Sequence, residues 1–161
     1  MGESYDKGYT GGIAVQDAGQ NLEPFTNRSL VLLHQTQHTD KDAAGVWEWN
    51  AVAKVSDGEV FLMFPLQHSY SSFNNNPKES KIAQIVLAPY ADTASIIGTL
   101  KAKKWDGQTG GIIAIRATKS IDVKALVDAN CAGYRGGRKA WLKREWTCHR
   151  TAGDQGESYN G

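Results

Sequence analysis

The chain has 161 residues, with 18 Lys and Arg against 17 Asp and Glu and a formal net charge of +1, so it can bury one full core or two small ones and offers no field that would gather nucleic acid. Seventeen glycines against four prolines, with five tryptophans and six tyrosines, describe a turn-rich β protein rather than a disordered one. The longest apolar runs, 29–33 and 60–64, are far too short to span a bilayer, so no membrane insertion is expected.

Residues 1–12 carry four glycines and two tyrosines without hydrophobic period and read as a mobile lead or an edge extension; they lack the basic and apolar regions of a signal peptide. Gly2-Glu3-Ser4-Tyr5 recurs as Gly156-Glu157-Ser158-Tyr159, which is either the start of a second copy of one module or coincidence in a Gly/Ser/Tyr-rich background. A small β-domain, barrel or sandwich, is expected over 13–80, with strands at Ile13–Val15, Ser29–Gln35, Gly45–Val55 and Glu59–Phe64. Ser56-Asp57-Gly58 predicts a hairpin turn, because Asp-Gly readily takes the positive φ that a tight turn requires. Pro65-Leu66 ends the hairpin, and 69–80 reads as a polar loop centred on Asn74-Asn75-Asn76-Pro77.

A second part, 81–137, opens with a strand over Lys81–Tyr90 that stops at Pro89, a residue unable to donate to a ladder. Shorter strands are expected over Ser95–Ala102, Gly111–Ala117 and Ser120–Val123, continuing into Leu126–Ala129. Strand, short turn and strand with a recurring small-residue exit is how a parallel solenoid coil is written; only about two coils fit here, and an antiparallel sandwich is the ordinary alternative. The tail 138–161 is basic and irregular, with room for one short helix over Lys139–Glu145. The expected fold is therefore all-β: a small N-terminal barrel or sandwich followed by a short parallel β-helix-like stack.

The most informative stretch is Trp105-Asp106-Gly107-Gln108-Thr109-Gly110-Gly111, answered by Gly133-Tyr134-Arg135-Gly136-Gly137. With Leu32-Leu33-His34-Gln35-Thr36-Gln37, Gly45-Val46-Trp47-Glu48 and Pro65-Leu66 followed by Tyr70, these elements resemble, in order and spacing, a family of large glycine-rich bacterial surface proteins. The resemblance covers 29–137 and implies a secreted or surface-displayed β-rich module without a known reaction. The layout is also similar to the small β-domain that precedes the parallel β-helix in phage tailspikes and pectin-lyase-like proteins, an architectural likeness that carries no function by itself. Two cysteines and a Lys/Arg/Trp-rich tail, in place of a long glycine-rich extension, depart from the surface-protein pattern.

Trp105 and Asp106 at one glycine turn, with Tyr134 and Arg135 at another, are the candidate ligand-binding residues, because aromatics and Arg favour contact sites; the structural alternative is that Trp105 caps the stacked strands. Glu48 between Trp47 and Trp49 is the one arrangement that points to a glycosidase-type acid, with Asp106 or Asp128 as the second carboxylate. On a strand the two tryptophans face one way and Glu48 the other, so the simpler expectation is a buried aromatic pair with an exposed acid, and a sugar-stacking surface is the alternative. His34 and His38 with Asp40 and Asp42 lie on a strand end and polar loop, too far apart along a strand to share an ion, and Cys148-His149 finds no matching pair for zinc. Cys131 and Cys148 are the disulfide candidates; a bridge would contribute about 3 kcal/mol for a loop of this size, and two free thiols are the alternative. Arg138, Lys139, Lys143, Arg144 and Arg150, interleaved with Trp141 and Trp146 and diluted by Glu145 and Asp154, read as a solvated face before a polyanion site. No catalytic residue or cofactor is expected: no Ser/His/Asp order, phosphate loop or nucleotide fingerprint stands out. The function expected is a non-enzymatic extracellular or cell-surface attachment module that contacts carbohydrate or a surface protein, with self-association open to it. The reading from another class is a polysaccharide hydrolase or lyase on a β-helix scaffold.

Overall fold

The computed structural model describes residues 3–14, 25–73 and 80–134. Among them the protein is all-β, without a helix. Its strands are β1 (Glu3–Tyr5), β2 (Gly12–Ala14), β3 (Leu30–Gln37), β4 (Trp47–Ser56), β5 (Glu59–Leu62), β6 (Tyr70–Ser72), β7 (Ile82–Ala88), β8 (Tyr90–Ile96), β9 (Leu100–Lys101), β10 (Arg116–Val123) and β11 (Val127–Asp128).

The principal sheet is antiparallel and five-stranded, in the order β2-β5-β4-β3-β7. It stays open, so of the barrel or sandwich expected over 13–80 the barrel is not formed by the described residues. β7, which opens the second part of the chain, completes this first sheet by pairing with β3 from Leu30↔Ala88 to Gln37↔Ile82. The β4–β5 hairpin turns as expected, with Asp57 at φ 54° and Gly58 at φ 80°, the pair of positive values that a two-residue turn of matching twist requires. β1 pairs with β6, so the leading segment is an edge extension there and a strand lies inside the expected polar loop.

One face of the sheet carries Val31, Leu33, Val52, Val60 and Leu62, and with Ile13, Leu66 and Tyr70 these form the buried core. The strand runs two residues further than expected, so Thr36 and Gln37 belong to it rather than to the polar loop. Gln35 is 1% exposed: its Nε2 donates to the carbonyls of Gln37, Ser71 and Ile82, and its Oε1 accepts the Ser71 amide. A buried amide is tolerated because its donors and acceptor are occupied. Thr36 alternates with Gln35 and so addresses the other face with His34, where Gln84 Nε2 donates to its hydroxyl at 2.6 Å; the β3–β7 register shifts between Gln35 and Gln37.

Beyond β7 the chain pairs in parallel. β10 lies beside β8 and β11 beside β9, at a step of 26 residues from Tyr90 to Arg116 that becomes 27 from Ala94 to Ile121 and from Leu100 to Val127. Backbone bonds continue the ladder past the strands, from Arg116 N to Pro89 O through Lys124 N to Ile96 O and on to Trp105 N and Ala132 O. The strand expected over Gly111–Ala117 begins only at Arg116, and that expected over Ser95–Ala102 divides into the end of β8 and β9. Ile121, Val123, Leu126 and Val127 on the second pass are exposed.

Candidate functional site

The second face of the sheet is where side chains with binding chemistry gather. Residues of β4 alternate, and Glu48, Asn50 and Val52 take the core face while Trp47 and Trp49 take the opposite one. This inverts the expected arrangement: Trp47 is 54% exposed and Glu48 only 4%. The reason lies in the chain after β5. Its backbone runs over the core face of β4 and needs acceptors and donors there. Glu48 Oε2 accepts the amides of Gln67 and His68 at 2.8 and 3.0 Å, and Asn50 Nδ2 donates to Phe64 O while its Oδ1 accepts Phe64 N. Glu48 Oε1 and the Tyr70 hydroxyl are both buried without a well-formed hydrogen bond. Burial, and then the neighbouring Glu48 carboxylate, push the Tyr70 phenol far above its ordinary range, so it stays protonated.

Trp47 and Trp49 meet edge-on at 6.5 Å between ring centres, and the Arg116 guanidinium lies over Trp49 at 5.7 Å. Trp47 is opposite His34 in the β3–β4 register, so both rings share this face. His34 in turn stacks on Tyr134 at 6.3 Å with an interplanar angle of 18°, and Tyr134 stands edge-on to Trp105 at 5.0 Å. A row of rings therefore crosses from β4 to the segments that follow β11 and β9, in the order Trp49, Trp47, His34, Tyr134, Trp105. Burial lowers the His34 pKa from its ordinary value, which keeps the imidazole neutral at neutral pH, and its Nδ1 lies 3.1 Å from the Thr36 hydroxyl. Burial raises the Tyr134 phenol, with a bond to Thr36 acting against it.

At the inner end of this row the structure is a seam. Gln84 grips Gly110 by both amide ends: Oε1 accepts Gly110 N at 2.8 Å, and Nε2 donates to Gly110 O at 3.3 Å. Trp105 is 8% exposed, and its indole N–H finds no acceptor among the described residues. The glycine turn thus does not free the indole toward solvent, as its position in the sequence suggests. Asp106 is exposed and closes the same turn, accepting the Gln108 and Thr109 amides at 2.9 and 2.8 Å and pairing with Lys103 at 3.0 Å. Tyr134 is half-buried between Trp105 and His34. Arg135, the fourth sequence-derived binding residue, lies outside the described residues, as do Cys148 and the basic run of 138–150; Cys131 is exposed.

The Thr109 amide, the largest cause, holds the Asp106 carboxyl well below its ordinary 3.8. A carboxyl depressed on folding stabilises its turn above that ordinary value, and the contribution is lost as pH falls toward the folded value. The amide NMR signals of Gln108 and Thr109 are accordingly expected to move only well below pH 3.8; movement centred at 3.8 would show the turn to be open in solution.

The histidine and aspartate groups near β3 are spent locally. His38 Nδ1 accepts the Asp40 amide, and Asp40 Oδ1 accepts that of Asp42. Among the described residues no group of three or more His, Cys, Asp or Glu side chains is placed to hold a metal ion. Sequence reasoning put core packing of Trp47 and Trp49 ahead of a sugar-stacking surface and did not bring His34 or Arg116 to them; Trp47 and Arg116 are exposed, Trp49 and His34 half-buried. The usable signal was the pair of polar residues Glu48 and Asn50 leading to Val52, whose shared face needs a buried purpose if Val52 is core. No family model matches the chain, and no curated protein and no solved structure shows significant similarity to it.

Proposed function

We propose that this chain is a non-enzymatic attachment module, secreted or displayed at a cell surface, that binds carbohydrate in preference to a surface protein. The observation that carries the reading is an aromatic ledge: Trp47, exposed, and Trp49, half-buried, stand on the second face of the sheet while Glu48, the acid between them, is turned inward and occupied by two backbone amides. A pyranose ring presents C–H groups on its flat faces, and the negative face of an exposed indole is their natural partner. A catalytic acid needs access to the sugar, which the buried Glu48 lacks, so the geometry favours binding over hydrolysis or elimination. Trp105, Asp106 and Tyr134 serve this module as the support of the row's inner end, with the Tyr134 ring on its half-buried side.

The parallel pairs at a step of 26–27 residues support a β-helix-like stack as the scaffold. That architecture is the one implied by the likeness to tailspikes and pectin-lyase-like proteins; kinship to the glycine-rich surface proteins rests on the sequence motifs. The apolar side chains exposed on its second pass support self-association of such modules.

The test is binding of the purified chain to a glycan array and, in parallel, to immobilised cell-surface protein. Trp47→Ala is expected to weaken glycan binding by about tenfold or more, the size of an aromatic anchor at a contact site, with an unchanged melting curve because Trp47 is exposed. Protein binding alone would move the reading to a protein contact; binding to neither would overturn it.

A further inference from the structure

We infer that the ledge takes an acidic glycan, with a sugar carboxylate docked on Arg116 beside the ring stacked on Trp47. This rests on the carbohydrate reading above and names the class of sugar. Arg116 opens β10, and its backbone N–H bonds Pro89 O, which fixes its place at the start of the parallel ladder. The other cations of this stretch are satisfied: Lys119 pairs with Asp92 at 2.9 Å and Lys124 with Asp122 at 3.1 Å. Arg116 is exposed and has no carboxylate among the described residues; its guanidinium is held instead over the Trp49 ring.

That placement is informative. A guanidinium lying over a ring keeps its planar fork of N–H groups free at the edge, where it matches a carboxylate by two parallel bonds. The acid nearest in sequence to the ledge tryptophans, Glu48, is removed to the opposite face. Glu59 alternates with Val60 on β5 and so shares the ledge face, but its carboxylate lies at the sheet edge over Gly12. Trp47 and Arg116 both flank Trp49, so a glycan laid across Trp49 meets an aromatic platform on one ring and a cation beside it. Neutral His34, next in the row, adds a polar group for a hydroxyl. A neutral sugar would leave the Arg116 fork unused, whereas a hexuronic or sialic-type residue uses both.

The test compares three carboxylated polymers, polygalacturonate, alginate and polysialic acid, each with its carboxyl-reduced form, by titration calorimetry against the whole chain. Wild type is expected to bind at least one acidic form about tenfold or more tighter than its reduced counterpart. Arg116→Gln should bind the two forms alike, and Arg116→Lys should recover part of the preference, since it restores charge without the fork. Trp47→Ala should weaken both forms. Dextran sulfate serves as the control for attraction to any polyanion, and melting curves show each variant folded. Equal binding of acidic and reduced polymers by the wild type would overturn the inference while leaving the carbohydrate reading intact. An acid preference that survives Arg116→Gln would also overturn it and direct attention to the basic run of 138–150. Binding to no polymer and no arrayed glycan would overturn both.

Discussion

Gln35→Leu is expected to destabilise the protein by about 3 kcal/mol, the loss that follows when several buried backbone groups are stripped of their partner. Leucine fits the volume and is the more hydrophobic residue, so a simple burial argument predicts a gain. The structure argues otherwise, because this one amide serves the carbonyls of Gln37, Ser71 and Ile82 and the amide of Ser71. Those groups belong to β3, β6 and β7, so the side chain ties β6 to the paired strands β3 and β7. Urea denaturation should show a lower midpoint with an unchanged slope, the mark of lost stability rather than altered compactness. Gln35→Glu tests the same point from the other side: it keeps the acceptor for Ser71 N and loses the donors, and is expected to be at least as damaging at neutral pH. A change below about 0.5 kcal/mol for Gln35→Leu would mean that the three carbonyls find other partners.

Gly110→Ala is expected to cost about 3 kcal/mol through backbone strain and a clash together. Gly110 has φ 112°, and a Cβ there would fall 2.5 Å from Lys104 O and 2.9 Å from Lys103 O, main-chain atoms that cannot swing aside. Gly107 is the control, since it has a similar φ of 106° but nothing within 4 Å of an added Cβ. Gly107→Ala should therefore show the conformational cost alone, about 1 kcal/mol. The difference between the two melting temperatures measures the steric part, and equal effects would refute the close approach at Gly110. Because Gln84 holds Gly110 by both amide ends, the damage should spread to the seam and be visible as a changed near-ultraviolet signal from Trp105.

Much of the local structure was legible. Asp57-Gly58 announced its hairpin because the turn depends on the φ preferences of two adjacent residues, and Pro89 marked the break between β7 and β8 because it has no amide to give. The buried polar run was not legible. Whether Gln35 is buried and whether the strand goes on through Thr36 and Gln37 depends on Ser71, Ile82 and Gln84, partners more than thirty residues away. The tryptophans mark the boundary between the two cases. Alternation requires Trp47 and Trp49 to share a face, but it does not say which face the core will take. Hydrophobicity argued for the inside; the amides of Phe64, Gln67 and His68 claimed the inner face for Asn50 and Glu48 instead. The candidate site was read at its inner end, Trp105, Asp106 and Tyr134, because glycine turns advertise themselves. Its exposed end was hidden by that inversion.

The sequence by itself determined an all-β chain, its hairpin and several strand positions. These follow from side-chain period and turn chemistry, which act over a few neighbouring residues. Only the tertiary structure decided that β7 completes the first sheet, that the later strands pair in parallel at a step of 26–27 residues, and that Trp47, Trp49 and Arg116 face outward together. The physical reason is that each outcome turns on satisfying buried backbone groups with partners distant in the chain, and no local pattern records which distant group will arrive.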